Sequence, residues 1–464
     1  MKIALIWPHG FDPNYILPLS LGYLKSNVNN DDHEIKIIDC ALHNLKGNSQ
    51  TLIKIISNFQ PDIVGISCWS TNYNEVCKTL KTIRLFDEKI VRVVGGCHAT
   101  AYPESLIEHT DFVFRGESEF SFPAFLEEFK KKSPNWKNIK GLCYLDKKGN
   151  IVKNDLERET DLDKIKLLDY DAINLNLYLK KNYRLDSGNR RSAPIWGSRG
   201  CPYNCQFCST YLLNGKVIRM HSVDYLIKAV KYLYFKKNIR QVNLIDDNFT
   251  FHIDRAKEFC RRIINLNLTD LRLFTPNEIR VQKTDKELLK LMKKAGWESV
   301  SIAPESGSLR TLKNMKKGLN PKIIPQKVRE IKKAGLKVQG TFIIGYPGET
   351  KKDIKETIKL IRKCKFNFFF LNTFQPLPAT PIYQKLIDSG KIKSGFLPKN
   401  FSSGRATYVT EDLKNLNFSW LRLKEYTYLA ITNPLNIPYM FKFAGIKMSL
   451  NKIILNLKAS FLKN

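Results

Sequence analysis

Over the first 130 residues, short apolar runs alternate with stretches in which apolar positions recur at helical spacing. Residues 2–7, 34–38, 63–67, 91–95 and 111–114 form the short runs. Each is too brief for a buried helix, so each reads as a strand. Strands separated by helices predict a doubly wound α/β layer, whose ligands bind at the carboxyl ends of the strands. At those ends stand Trp7-Pro8-His9-Gly10, Ser67-Cys68-Trp69-Ser70, Gly95-Gly96-Cys97-His98 and Arg115-Gly116-Glu117-Ser118.

The rhythm lapses over 131–190, which reads as a linker with a small β element: a hairpin over 141–152 turning at Lys148-Gly149-Asn150. A second series follows. Residues 193–197, 241–246, 272–275, 299–303, 338–344 and 366–374 are strand candidates, separated by helical stretches such as 223–235 and 285–294. Six such units predict a partial (β/α)6 barrel of the TIM type over 191–395. From 396 to 464 the strands cease and a helical tail is expected. In it Ile446, Leu450, Ile453, Ile454 and Leu457 share a helical face that Lys447, Lys452 and Lys458 avoid. Upstream, Trp420, Leu421, Leu423, Tyr426 and Tyr428 add apolar surface. A basic amphipathic tail suits either a peripheral membrane contact or packing on the barrel.

A length of 464 residues fits about three domains. No apolar stretch spans a bilayer, since 428–445 is broken by Asn433, Pro434, Pro438 and Lys442. The N-terminal apolar run is too short for a signal peptide, which points to the cytoplasm. The net charge of +32 raises a polyanion partner. Its lysines, however, are spread over helices, as a compositional bias would leave them, and nucleic acid is not the expected partner. Seven of the ten cysteines (Cys40, Cys68, Cys77, Cys97, Cys143, Cys260 and Cys364) are scattered, in keeping with a reducing compartment. The other three are not scattered.

Cys201, Cys205 and Cys208 lie in Arg199-Gly200-Cys201-Pro202-Tyr203-Asn204-Cys205-Gln206-Phe207-Cys208, just after the first barrel strand. Three thiolates can hold three irons of a cubane cluster and leave the fourth open to chemistry. A structural zinc would need a fourth ligand, for which His221 is the near candidate.

This loop resembles the signature of radical S-adenosylmethionine enzymes, with the aromatic Phe207 before the third cysteine. The likeness runs on through Asp246-Asp247-Asn248-Phe249, Glu278-Ile279-Arg280, Ala303-Pro304-Glu305-Ser306-Gly307-Ser308 and Gly340 to Glu349. Pro18 to Leu24, Val64 to Ser67, Gly95 to Thr100, Pro103-Glu104 and Arg115 to Glu119 resemble the cobalamin-binding domain preceding the barrel in one branch of that family. The resemblance covers nearly all of 1–395. It implies a 4Fe-4S cluster, S-adenosylmethionine and cobalamin as cofactors, with a ferredoxin- or flavodoxin-like electron donor. A reduced cluster cleaves the sulfonium and releases a 5'-deoxyadenosyl radical able to attack an unactivated carbon.

Family position assigns roles to particular residues. Asp246 or Asp247 would accept the methionine amino group, in place of the Gly-Gly-Glu of many relatives; a turn or helix cap is the plain alternative. Glu305 and Ser306 would bond the ribose or methionine end, and Arg280 would pair with a carboxylate. Tyr203 and Phe207 would flank the adenine or shield the cluster, while Gly345 would allow close backbone approach. Ser67, Gly95, Gly96, Gly116 and Glu117 would line the cobalamin site, with His98 nearest the corrin. The Asp-x-His-x-x-Gly motif that supplies a cobalt ligand in cobalamin mutases is absent, so the resemblance implies cobalamin without a histidine on cobalt. Methylation of a small-molecule or lipid carbon is the leading expectation. Ring or carbon-carbon bond formation, an RNA methylthiotransferase and a non-catalytic sensor are the alternatives; methylthiotransferases carry three cluster cysteines in the N-terminal domain, the first near the end of the first strand, where this chain has Trp7-Pro8-His9.

Overall fold

The computed structural model describes residues 1–29, 31–181, 183, 190–396 and 406–437. It forms two compact units: Met1–Arg184 with Thr210–Met220, and Leu185–Ser209 with His221–Asn464.

In the first unit, strands β1 (Lys2–Trp7), β2 (Glu34–Asp39), β3 (Ile63–Ser67), β4 (Val91–Gly95) and β5 (Phe112–Phe114) are all parallel. Their order is β2-β1-β3-β4-β5. That order reverses direction between β1 and β3, the switch point at which such sheets bind ligands. Alternate residues go to opposite faces. Ala4, Ile6, Val64, Ile66 and Val94 pack on one side with Leu52, Ile56, Val76 and Leu80. Ile3, Leu5, Ile63 and Val93 pack on the other with Leu21, Phe122 and Phe125. Burial on both faces explains why these strands are continuous apolar runs.

The hairpin expected within a linker, β6 (Leu142–Leu145) and β7 (Ile151–Lys153), adds antiparallel to β5 and extends this sheet. A second departure lies in the segment Thr210–Met220, read as barrel but belonging to this unit. Arg158 donates to the carbonyls of Leu212 (2.9 Å) and Leu213 (3.2 Å), and Arg219 pairs with Glu117. These are long-range bonds that no local periodicity announces.

The second unit holds six parallel strands: β8 (Ser192–Ile195), β9 (Gln241–Leu244), β10 (Arg272–Phe274), β11 (Ser299–Glu305), β12 (Lys337–Ile344) and β13 (Phe368–Thr373). They pair in chain order as two three-stranded sheets, bridged by Leu273–Trp297 and Ile279–Ile302. Helices between them, including Val223–Lys231, Ile253–Asn265, Lys286–Lys294, Ile324–Lys333 and Lys351–Cys364, make this the expected partial barrel. Within the tail, Phe418–Thr432 is helical. The amphipathic stretch from Ile446 to Lys458 lies outside the described residues.

Candidate active site

The cysteine loop leaves the carboxyl end of β8 and is braced at three points. Asp246, fully buried just after β9, accepts from the Gly197 N–H (2.7 Å) and the Ser198 hydroxyl (2.7 Å). Burial pushes its carboxyl up, against the charge of Arg255 and these hydrogen bonds. Asp247, half-buried, accepts from Gly200 N–H at 3.2 Å. Further on, Gln206 donates its N–H to Met315 O (2.9 Å) and accepts at its own carbonyl from Ile382 N–H (2.9 Å). The loop thus rests on β9 and on the segments after β11 and β13. Its three cysteines form no disulfide and are partly accessible, and burial raises the thiols of Cys201 and Cys205.

Among the described residues no three His, Cys, Asp or Glu side chains converge closely enough for a single metal ion. His221 is buried and stacks on Tyr225 at 3.7 Å. The zinc alternative therefore finds no tetrahedral set here. A cubane places its irons at separate corners, so its thiolates must stand farther apart than those of a mononuclear site. Three thiols on one braced loop suit it.

Beside the loop lies a charged cluster only part of which the sequence reading named. Glu278, four residues beyond β10, and Glu305, the last residue of β11, have left-handed backbones, φ +71° and +63°, a conformation costly for residues bearing a Cβ. Between them Lys317, 8% exposed, places its Nζ 2.8 Å from Glu305 Oε1. Burial would lower this ammonium, but Glu305 holds it above the usual lysine value. Burial and the Glu305 charge push the Glu278 carboxyl up, while a hydrogen bond to Thr341 opposes them.

Several expected roles change in this setting. Arg280 lays its guanidinium 3.4 Å over the Tyr203 ring and donates to the Lys317 carbonyl and to Gln282 (3.3 Å), so it props the cysteine loop. Ser306 is fully buried and bonds Thr357 (3.0 Å) and the Ser308 N–H (3.1 Å), a helix-packing role in place of a ribose contact. Phe207 packs with Leu312, Met315, Tyr346 and Phe374. Gly345, at φ +80°, donates to Glu349 (2.6 Å), and a Cβ there would stand 3.2 Å from the Phe418 ring. Glu349, missed as a site residue, is buried, and burial pushes its carboxyl up to about 8.

The fit to a polar ligand shows in buried atoms left without protein partners at the carboxyl ends of the barrel strands. Both amide atoms of Asn248, after β9, are of this kind, as are the Thr250 and Thr275 hydroxyls, the Tyr346 hydroxyl and Glu349 Oε1. Unsatisfied buried polar groups are costly, and a polar ligand such as S-adenosylmethionine relieves that cost.

In the first unit, the carboxyl ends of β3, β4 and β5 meet closely. Gly96 has φ +105°, and a Cβ there would lie 2.7 Å from Cys68 O and 3.3 Å from Ser67 Oγ; only glycine fits. Gly95 ends β4 in register with Ser67, and its carbonyl accepts from Cys68 N–H at 2.7 Å. Gly116, at φ +76°, donates to Thr100 (2.9 Å), and Glu117 is locked to Arg219.

His98 is not poised for cobalt. Its Nδ1 lies 2.9 Å from the Ser70 hydroxyl and its Nε2 3.0 Å from that of Ser105, and burial lowers its pKa to about 4. Both its ring nitrogens are engaged within the protein.

At the switch point, an open cleft of about 590 Å³ is lined by residues that include His9, Gly10, Phe11, Ala41 and Leu42. Phe11 stacks on Trp7 at 4.0 Å and meets Trp69 edge-on at 5.1 Å. Trp69 remains 36% exposed, and the buried Trp7 Nε1 has no partner. Glycine-lined strand ends beside an aromatic surface fit a large flat macrocycle. Trp69 carries no signal in the sequence that assigns it this place.

Comparison with known proteins agrees with this arrangement. A Radical SAM superfamily model matches residues 197–361, and a B12 binding domain model matches 13–126. An uncharacterised methyltransferase of Pyrococcus horikoshii is 32% identical over 375 residues, covering 80% of this chain and 78% of that protein. The cytidylyl-2-hydroxyethylphosphonate methyltransferase of Streptomyces wedmorensis is 27% identical over 444 residues, covering 85% and 82%. In fold, the chain resembles the radical S-adenosylmethionine methyltransferase TsrM from Kitasatospora setae, solved with its tryptophan substrate and an S-adenosylmethionine analogue bound. The TM-score is 0.69 at 17% identity, covering 84% of this chain and 76% of that one. This protein therefore belongs to the radical S-adenosylmethionine enzymes that carry an N-terminal cobalamin-binding domain.

Proposed function

We propose that this enzyme transfers a methyl group to an unactivated carbon of a small-molecule or lipid substrate. The observation that carries this reading is the pairing, on one chain, of a three-cysteine loop with a glycine-lined sheet edge, together with methyltransferase relatives that align over four-fifths of the chain. When bound, the cluster and S-adenosylmethionine supply a carbon-centred radical, and cobalamin supplies the methyl group.

The chain's own residues hold and orient. Cys201, Cys205 and Cys208 ligate three irons. Asp247, the less buried of the two aspartates, accepts from the methionine amino group, while Asp246 braces Gly197 and Ser198. Lys317, with Glu305 as its counter-ion, meets the methionine carboxylate. Asn248 and Thr275 offer polar atoms to the nucleoside, and Phe207 keeps water from the cluster. Ser67, Gly95, Gly96 and Gly116 admit the cobalamin tail to the backbone, and Trp69 with Phe11 gives its ring an aromatic floor. The electron comes from a ferredoxin- or flavodoxin-like donor.

Anaerobic turnover with methyl-deuterated S-adenosylmethionine, a reducing system and host lipid and small-molecule extracts tests this. A product carrying the intact labelled methyl is expected, together with 5'-deoxyadenosine and S-adenosylhomocysteine. A product that has lost hydrogen and carries no label would replace methyl transfer with ring or carbon-carbon bond formation.

A further inference from the structure

The helix Phe418–Thr432 carries its polarity inside out. Its buried face holds Phe418 and Leu429 but also Arg422 and Glu425, 4% and 2% exposed. Glu425 is held by Arg362 of the helix Lys351–Cys364 through two bonds of 2.8 and 2.6 Å, so the charged inner face is satisfied within the protein. The outer face, which also carries Lys424, Thr427 and Thr432, exposes large apolar side chains. Trp420 is 52% exposed, Tyr428 38%, Ile431 74% and, in the turn that follows, Leu435 92%. With Lys424, whose Nζ lies 5.2 Å over the Trp420 ring, these positions recur at three- and four-residue spacing and form one stripe. A helix that faced only water would place its charges there.

Sequence beyond the stripe selects its partner. From Tyr426 to Asn464 the chain holds five lysines (Lys442, Lys447, Lys452, Lys458 and Lys463) and no Asp or Glu. Tryptophan and tyrosine next to lysines on an apolar face suit the water–lipid boundary, where rings bury their bodies and ammonium groups reach the headgroups. No helix among the described residues is long and apolar enough to cross a membrane, so the contact is one of lying on the surface.

We propose that the outer face of helix Phe418–Thr432 docks on an anionic lipid surface. Charge complementarity favours this occupant over a second copy of the chain, since the stretch after Glu425 carries five lysines and no acid that could answer them.

The test uses the full-length protein and sedimentation with sucrose-loaded vesicles, either phosphatidylcholine alone or phosphatidylcholine with phosphatidylglycerol. Binding to the anionic vesicles should be at least tenfold tighter, should weaken as salt rises, and should fall at least tenfold in Trp420→Ser/Ile431→Gln. Melting temperature and S-adenosylmethionine cleavage in that variant should match the parent, since neither residue touches the site. Trp420 emission, taken as parent minus Trp420→Phe, should shift to the blue on anionic vesicles. Absence of vesicle binding, or equal binding by the double variant, would overturn the proposal. So would blue emission unchanged by vesicles, which would mean that the chain's own C-terminal segment covers the stripe. A parent dimer that the double variant dissociates, without lipid binding, would assign the stripe to a second copy.

Discussion

Cys205→Ala abolishes S-adenosylmethionine cleavage while leaving a folded protein that still takes up cobalamin. The thiol is one of only three on the loop, and a cubane held by two thiolates loses a corner ligand that nothing nearby replaces: among the described residues no other group of metal-binding side chains stands ready. Folding should survive because the loop is anchored elsewhere, by Asp246 on Gly197 and Ser198 and by the backbone bonds of Gln206. Anaerobic reconstitution should give a variant with no stable four-iron signal on reduction and 5'-deoxyadenosine formation at background. A variant that retains cluster and cleavage would remove Cys205 from the iron ligands. One that also loses cobalamin would mean that the substitution acts through folding.

Lys317→Met has the largest expected effect on stability. It leaves the Glu305 carboxylate, 5% exposed, in a buried site without its counter-ion. Removing one partner of a buried ion pair costs about 3 to 5 kcal/mol, read as a lower urea midpoint. Adding Glu305→Gln should restore part of that loss, because a neutral amide no longer needs the ammonium. Binding of S-adenosylmethionine should not return in the double variant, since the cation proposed to meet its carboxylate is still missing. If instead the single variant is as stable as the parent, Glu305 is solvated and the pair is not the buried element described above.

Much of the fold was open to reading because the strands of both layers are buried on two faces and so stand out as apolar runs. Ile63–Ser67 and Lys2–Trp7 are examples, and the chain order of the barrel strands follows from their regular alternation with helices. The cysteine loop was legible for another reason: three thiols at fixed close spacing have few structural uses. What escaped were side-chain partners set by tertiary contact. Lys317 is one lysine of many in a basic chain, and only its position between Glu278 and Glu305 distinguishes it. Asp246 and Asp247 are adjacent and chemically identical, and which is spent on the cysteine loop depends on side-chain direction at the end of β9. His98 sits in a glycine turn of the kind that holds ligands, yet two serines, one of them seven residues onward, occupy both its nitrogens. Segment 210–220 was read with the barrel because its attachment is made by Arg158 and Arg219, whose partners lie far along the chain.

The central claim, a single cluster and a cobalamin on the same chain, is tested most directly by iron, sulfide and cobalt analysis of anaerobically reconstituted full-length protein. One four-iron cluster and one cobalt per chain are predicted. Two clusters per chain with no cobalt would contradict it and point to the methylthiotransferase alternative.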